Sequence, residues 1–176
     1  MKKLVAFGVF ALVLSLGTAS AQIGQVGVGI AGVGELPIGN FADNVGIGLG
    51  GLGDIEAGMY PGLAVTARSG YLYHFQKHDL SYYHQIPIMG GLKYSVPTTP
   101  IYVAGEMGAV LVRRDFTSTT LTPAHVDNST TFGWDAGLGS DVGPVDLRLT
   151  FNVLNASDMT NSMTVGLSIG FNIWST

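Results

Sequence analysis

The chain has 176 residues, a formal net charge of −4, no cysteine, 26 glycines, and only 11% charged residues against 47% hydrophobic ones. Soluble domains average about 25% charged residues, so this balance speaks against an ordinary soluble domain, and the acidity speaks against nucleic-acid binding. Without cysteine there is no disulfide, thiolate metal site or lipidated cysteine, and after residue 21 no apolar run of about 18 residues exists to form a membrane helix.

The amino end reads as an export signal. Lys2 and Lys3 form a short basic start, residues 4–16 are apolar, and Ala19, Ser20 and Ala21 make a small-residue cleavage site. This predicts a signal peptide over 1–21, a mature chain from Gln22, and secretion out of a bacterial cytoplasm. The remaining chain alternates repeatedly. VGVGIA (26–31) and VGIGLGGLGDIE (45–56) set Val26, Val28, Ile30, Val45, Ile47, Leu49 and Ile55 against glycines, Asp54 and Glu56. In 62–75, Leu63, Val65, Ala67, Tyr71, Tyr73 and Phe75 oppose Thr66, Arg68, Gly70 and His74. Noisier strands are expected at 85–95, 100–113 and 131–142. VDLRLTFNV (145–153) alternates without a fault, and TVGLSIGFNI (164–173) closes the series. Period-two alternation places successive side chains on opposite faces of a strand, so eight strands are predicted.

The expected connections are 36–44, 58–61, 76–84, 96–100, 115–130, 143–144 and 155–162, long and short in turn. In an antiparallel sheet this gathers the long ones at one end, the layout of outer-membrane barrels with long external loops and short periplasmic turns. The predicted fold is all-β: a closed eight-stranded antiparallel up-and-down transmembrane β-barrel over 22–176. Apolar positions should then face lipid and polar ones the lumen, the inverse of a soluble sheet.

Stretches such as GYLY (70–73), QIPIMGGLKY (85–94), YVAGEMGAVL (102–111) and VGLSIGFNIW (165–174) resemble the small eight-stranded outer-membrane barrels, OmpX-like and like the OmpA transmembrane domain. The resemblance covers essentially all of 22–176 and carries no catalytic signature. It implies residence in a Gram-negative outer membrane, contact with lipid including lipopolysaccharide, and passage through periplasmic chaperones and the barrel-assembly machinery. Such barrels often end on an aromatic residue; here Trp174 is followed by Ser175 and Thr176.

Parity sends Asp54, Glu56, Arg68, Lys93, Glu106, Asp135, Asp141, Asp146 and Arg148 inward. A lumen of this size is just wide enough to be filled by side chains, so these charges must pair. The expectation is an ion network centred on Arg68, Glu106 and Arg148, joined by Asp146, Lys93, Asp54 and Asp135, with inward glycines making room for long stems. Aromatics fall at strand ends: Tyr71, Tyr73, Phe75, Phe132 and Trp134 toward the long loops, and Tyr60, Tyr94, Phe171 and Trp174 toward the short turns. Amphipathic rings prefer the headgroup level, so two girdles are predicted.

Signs of chemistry are sparse. GIGLGG (46–51) lacks the helix that a phosphate-binding loop needs. His74, His78, His84 and His125 are expected in or beside the long loops with Asp79, Ser81, Asp115 and Asp127, but in no metal or nucleophile spacing. Arg113 and Arg114, with Asp115, are expected at the outer rim of the fifth strand, as a solvated rim or, the less favoured alternative, touching lipopolysaccharide phosphates. The expected function is a non-enzymatic barrel with a filled lumen, no cofactor or metal, and a structural or surface-interaction role, meeting an extracellular partner through loops 76–84 and 115–130. The alternatives are a lipid-A-modifying or proteolytic barrel enzyme using loop histidines and, more weakly, a soluble periplasmic lipocalin-like barrel binding an apolar ligand.

Overall fold

The computed structural model describes residues 23–77, 80–116 and 125–175. Eight strands follow one another around a closed barrel, each antiparallel to the next: β1 (Val26–Pro37), β2 (Val45–Tyr60), β3 (Leu63–Gln76), β4 (Leu80–Ser95), β5 (Ile101–Phe116), β6 (His125–Val142), β7 (Val145–Val153) and β8 (Met163–Ser175). The last strand pairs with the first, from Gly27 opposite Ser175 to Pro37 opposite Thr164. Closure satisfies the backbone groups that an open sheet would leave at its edges.

Alternation sets the two surfaces. Along β7, Leu147 and Leu149 are exposed while Arg148, Thr150 and Asn152 are buried. Exposed apolar residues continue around the wall through Ile30, Leu49, Ile55, Val65, Ile88, Leu92, Val103, Met107, Leu138, Leu167 and Ile169. A monomeric soluble protein rarely exposes an apolar surface so continuous.

Two hairpins turn tightly where glycine adopts a positive φ, Gly62 at 79° and Gly143 at 61°; this is the conformation such short turns require. At the opposite end β1 and β2 are joined through a short helix α1 (Phe41–Asn44), and β7 and β8 through a 3₁₀ turn (Met159–Asn161).

Several expected boundaries are corrected. The first strand runs on to Pro37, two residues into the expected 36–44 connection. Only 77–79 lie between β3 and β4, so the strict alternation of long and short connections fails there. Most of 76–84 and the outer parts of 115–130 are strand, because the ladder continues from Leu80 opposite Phe116 to Phe116 opposite His125. These stretches are polar and aromatic on both faces, so hydrophobic alternation gives no signal, while a neighbouring ladder still satisfies their backbone. Since β7 reaches only Val153, opposite Trp134, strands β4 to β6 stand above it as a flap. Val45, expected on the outside, is buried against Phe41, where the β2 register shifts between Val45 and Gly48.

Candidate functional site

The lumen is built in layers of polar side chains. At its centre lies Glu106, whose side chain is 1% exposed. It accepts hydrogen bonds from Arg148 Nη1 at 3.1 Å and the Thr66 hydroxyl at 2.9 Å, and forms an ion pair with Arg68, whose Nη2 lies 2.9 Å away. Arg148 donates its second arm to Asp135 Oδ1 at 3.1 Å. The planar fork of arginine suits such bridging of two carboxylates. The contributing strands are β3, β5, β6 and β7, so one guanidinium and one carboxylate tie several walls together across the lumen.

A second layer surrounds Lys93, with Glu56 Oε2 at 2.9 Å, Asp141 Oδ2 at 2.8 Å and the Tyr102 ring centroid at 4.2 Å. Tyr102 donates to Asp146 Oδ1 at 2.6 Å. The expected single network is thus two clusters. Arg68, Glu106, Arg148 and Asp135 meet directly, whereas Lys93 and Asp146 belong to the other group. The Asp54 carboxylate packs over Gly29, 2.8 Å from where a Cβ would stand. Gly137 likewise leaves space for Arg148, whose Nε lies 2.6 Å from a hypothetical Cβ. Interior room, more than backbone freedom, explains glycine at these positions.

A third layer was not anticipated. Glu35 accepts from Gln85 Nε2 at 2.8 Å and Asn152 Nδ2 at 3.2 Å, and faces His74 Nε2 at 3.5 Å. Asn152 also donates to Thr164 at 2.9 Å. Extending the first strand by its own alternation would have put Glu35 inside with Ala31 and Val33. Above this layer Phe41, Val45, Tyr83, Met89, Val110, Val112 and Leu154 form an apolar plug, and the Arg114 guanidinium sits 5.8 Å from the Tyr83 ring centroid.

The histidines separate. His74 is fully buried inside, donating to the Gly46 carbonyl through Nδ1 at 3.2 Å, on the polar phase of its strand and near that strand's end. His84 lies on the outer face of β4, hydrogen-bonded through Nδ1 to the Tyr71 hydroxyl and 3.8 Å from Asp115 through Nε2. Asp115 also holds Arg113 Nε at 3.0 Å. His78, Asp79 and the side chains of Ser81 and His125 lie outside the described residues. Among the described residues no group of His, Asp and Glu is arranged to hold a metal ion.

Of the expected girdle, Tyr71, Phe75, Phe132, Tyr94, Phe171 and Trp174 are exposed on the outer wall. Tyr73 packs edge-on against Phe75 at 5.4 Å, and half-buried Trp134 leans on Phe151 at 5.9 Å. Tyr82 extends the upper group, 5.8 Å from Tyr73.

No protein-family model matches the chain, and no curated protein matches it. Among solved structures it is similar to Ail, the attachment invasion locus protein of Yersinia pestis, with a TM-score of 0.65 and 12% identity over 88% of this chain and 100% of that one. The same protein has been solved in complex with the heparin analogue sucrose octasulfate. The N-terminal β-barrel domain of Pseudomonas aeruginosa OprF gives a TM-score of 0.55 and 17% identity, covering 85% of this chain and 99% of that one. Neisserial surface protein A gives 0.50 and 15%, covering 83% and 93%. At these identities the likeness is one of architecture: the chain has the fold of the small eight-stranded outer-membrane β-barrels.

Proposed function

We propose that this chain is a non-enzymatic integral protein of a Gram-negative outer membrane, with a closed lumen and a structural or surface-interaction role. The carrying observation is the inversion of its two surfaces: an apolar outer wall enclosing ion pairs such as Arg148 with Glu106 and Asp135. In water that arrangement would expose the hydrophobic residues and bury the charges; in a bilayer both are matched. Residues 1–21 supply the export signal, and Tyr71, Tyr73, Phe75, Phe132, Trp134, Tyr94, Phe171 and Trp174 are the interfacial girdles. Its partners are outer-membrane lipid including lipopolysaccharide, periplasmic chaperones and the assembly machinery during insertion, and an extracellular molecule met at 76–84 and 115–130. The Ail complex with a heparin analogue illustrates a surface role of this general kind.

A lipocalin-like carrier would need an apolar cavity of about 300 Å³ or more. The interior spaces beside Arg68 measure only about 30 and 40 Å³ and are lined by charged as well as apolar groups. Cell fractionation tests the reading: the mature protein should sediment with outer membranes and migrate faster on gels unheated than boiled. Recovery in the soluble periplasm with heat-independent migration would overturn it.

A further inference from the structure

The outer face of the β4–β6 flap carries a groove of about 730 Å³, running from Tyr71 across to β6. Its volume is in the range of small-molecule sites, whereas the spaces inside the barrel hold little more than a water. Ile86 and Leu111, cross-strand partners, line its apolar part. Toward the strand ends it becomes polar through His84, Arg113, Asp115, Asn128 and Thr130. The vertical order follows from the ladder: Ala109 opposite Phe132, Leu111 opposite Thr130, Arg113 opposite Asn128. Ile86 and Leu111 therefore lie below, and His84 and Arg113 lie one step above them, level with Tyr73 of the aromatic girdle, the same gradient as an outer leaflet from acyl chain to headgroup.

The polar groups are held in place. Asp115 occupies Arg113 Nε, and the Tyr71 hydroxyl holds the His84 ring. Arg113 is 57% exposed at its side chain, so its terminal nitrogens remain accessible for the two-pronged contact that guanidinium makes with phosphate. Asn128, Thr130 and Tyr71 offer neutral donors and acceptors suited to sugar hydroxyls and amides.

We propose that this groove binds one phosphorylated glycolipid of the outer leaflet, with an acyl chain against Ile86 and Leu111, a phosphate on Arg113, and the sugar among Asn128, Thr130 and Tyr71. The proposal rests on the membrane reading above and adds a defined lateral site to it. The test uses the full mature chain reconstituted in phosphatidylcholine vesicles, alone or doped with diphosphoryl lipid A or with phosphatidylglycerol. Native mass spectrometry after detergent extraction counts retained lipid, and heat-dependent gel migration reports insertion.

Lipid A should be retained about tenfold more than phosphatidylglycerol, and Arg113→Glu and Leu111→Trp should each lower its retention about tenfold, the scale of one charge-assisted contact. Ile30→Trp, on the far wall, should leave it unchanged. Arg113→Gln, a milder change at an exposed side chain, should also lower retention should Arg113→Glu fail to fold. Equal retention of lipid A and phosphatidylglycerol, or wild-type retention in both Arg113 variants, overturns the groove while insertion keeps the barrel reading intact. Failure of the wild type to insert overturns both.

Discussion

Glu106 is the residue on which most depends. Its carboxylate serves two guanidiniums and a hydroxyl in a space closed to bulk water. Removing one partner of a buried ion pair leaves an uncompensated charge and costs about 3–5 kcal/mol. Glu106→Ala should lower the unfolding free energy of the vesicle-inserted barrel by that order in a urea titration. Arg113→Ala breaks the exposed pair with Asp115 and should cost about 1 kcal/mol or less. Equal losses would contradict the enclosed placement of Glu106. The inward orientation of Arg68, Glu106, Asp135 and Arg148 was legible from parity, because each lies in a strand whose alternation is audible in sequence. Their division from the Lys93 cluster was not, since it depends on the register between strands far apart in the chain. Glu35 was missed as an interior partner for a local reason: glycine at positions 27, 29, 32 and 34 leaves β1 without a clear apolar phase as it approaches Glu35, whereas His74 falls on the polar phase of 62–75 and only its partners were hidden.

At the level of one element, β7 is the most informative strand. Leu149 is exposed and stands between Leu138 and Leu167, both also exposed. A cation introduced on the lipid face near mid-membrane costs about 2–4 kcal/mol. Leu149→Arg should therefore destabilise the inserted barrel by that amount, measured in the same titration, while Leu149→Ala, which keeps the face apolar, should cost less. Unchanged stability of Leu149→Arg would mean that this face meets water. β7 could be read almost residue by residue because every second position is large and apolar; the exception is Val153, on the outward phase yet buried at the strand end opposite Trp134. The outer ends of β4, β5 and β6 could not, because Tyr82, His84, Arg113 and Asp115 face outward there. Their strand form comes from pairing with neighbours, a tertiary cause that no single segment records.

For the whole molecule, the decisive property is that the barrel is closed twice. Ion pairs cross its middle, and the Phe41 to Leu154 plug covers them from the loop end. In planar bilayers the protein should add no steady conductance, and vesicles containing it should not swell in sugar solutions. A stable open channel in the wild type would contradict this packing.

Arg68, Glu106 and Arg148 come from strands β3, β5 and β7, each separated from the next by an intervening strand. The β6–β7 hairpin carries its own Arg148–Asp135 pair, but no single hairpin holds Glu106 together with either of its arginines. A lone β4–β5 hairpin entering lipid would carry Glu106 without either arginine, and unpaired charge in hydrocarbon is strongly disfavoured. The order of events in assembly is constrained accordingly: the strands must curl toward one another before or as they cross the bilayer, so insertion and closure form one cooperative step. The same charges that lock the finished barrel would oppose entry of its strands into hydrocarbon one at a time.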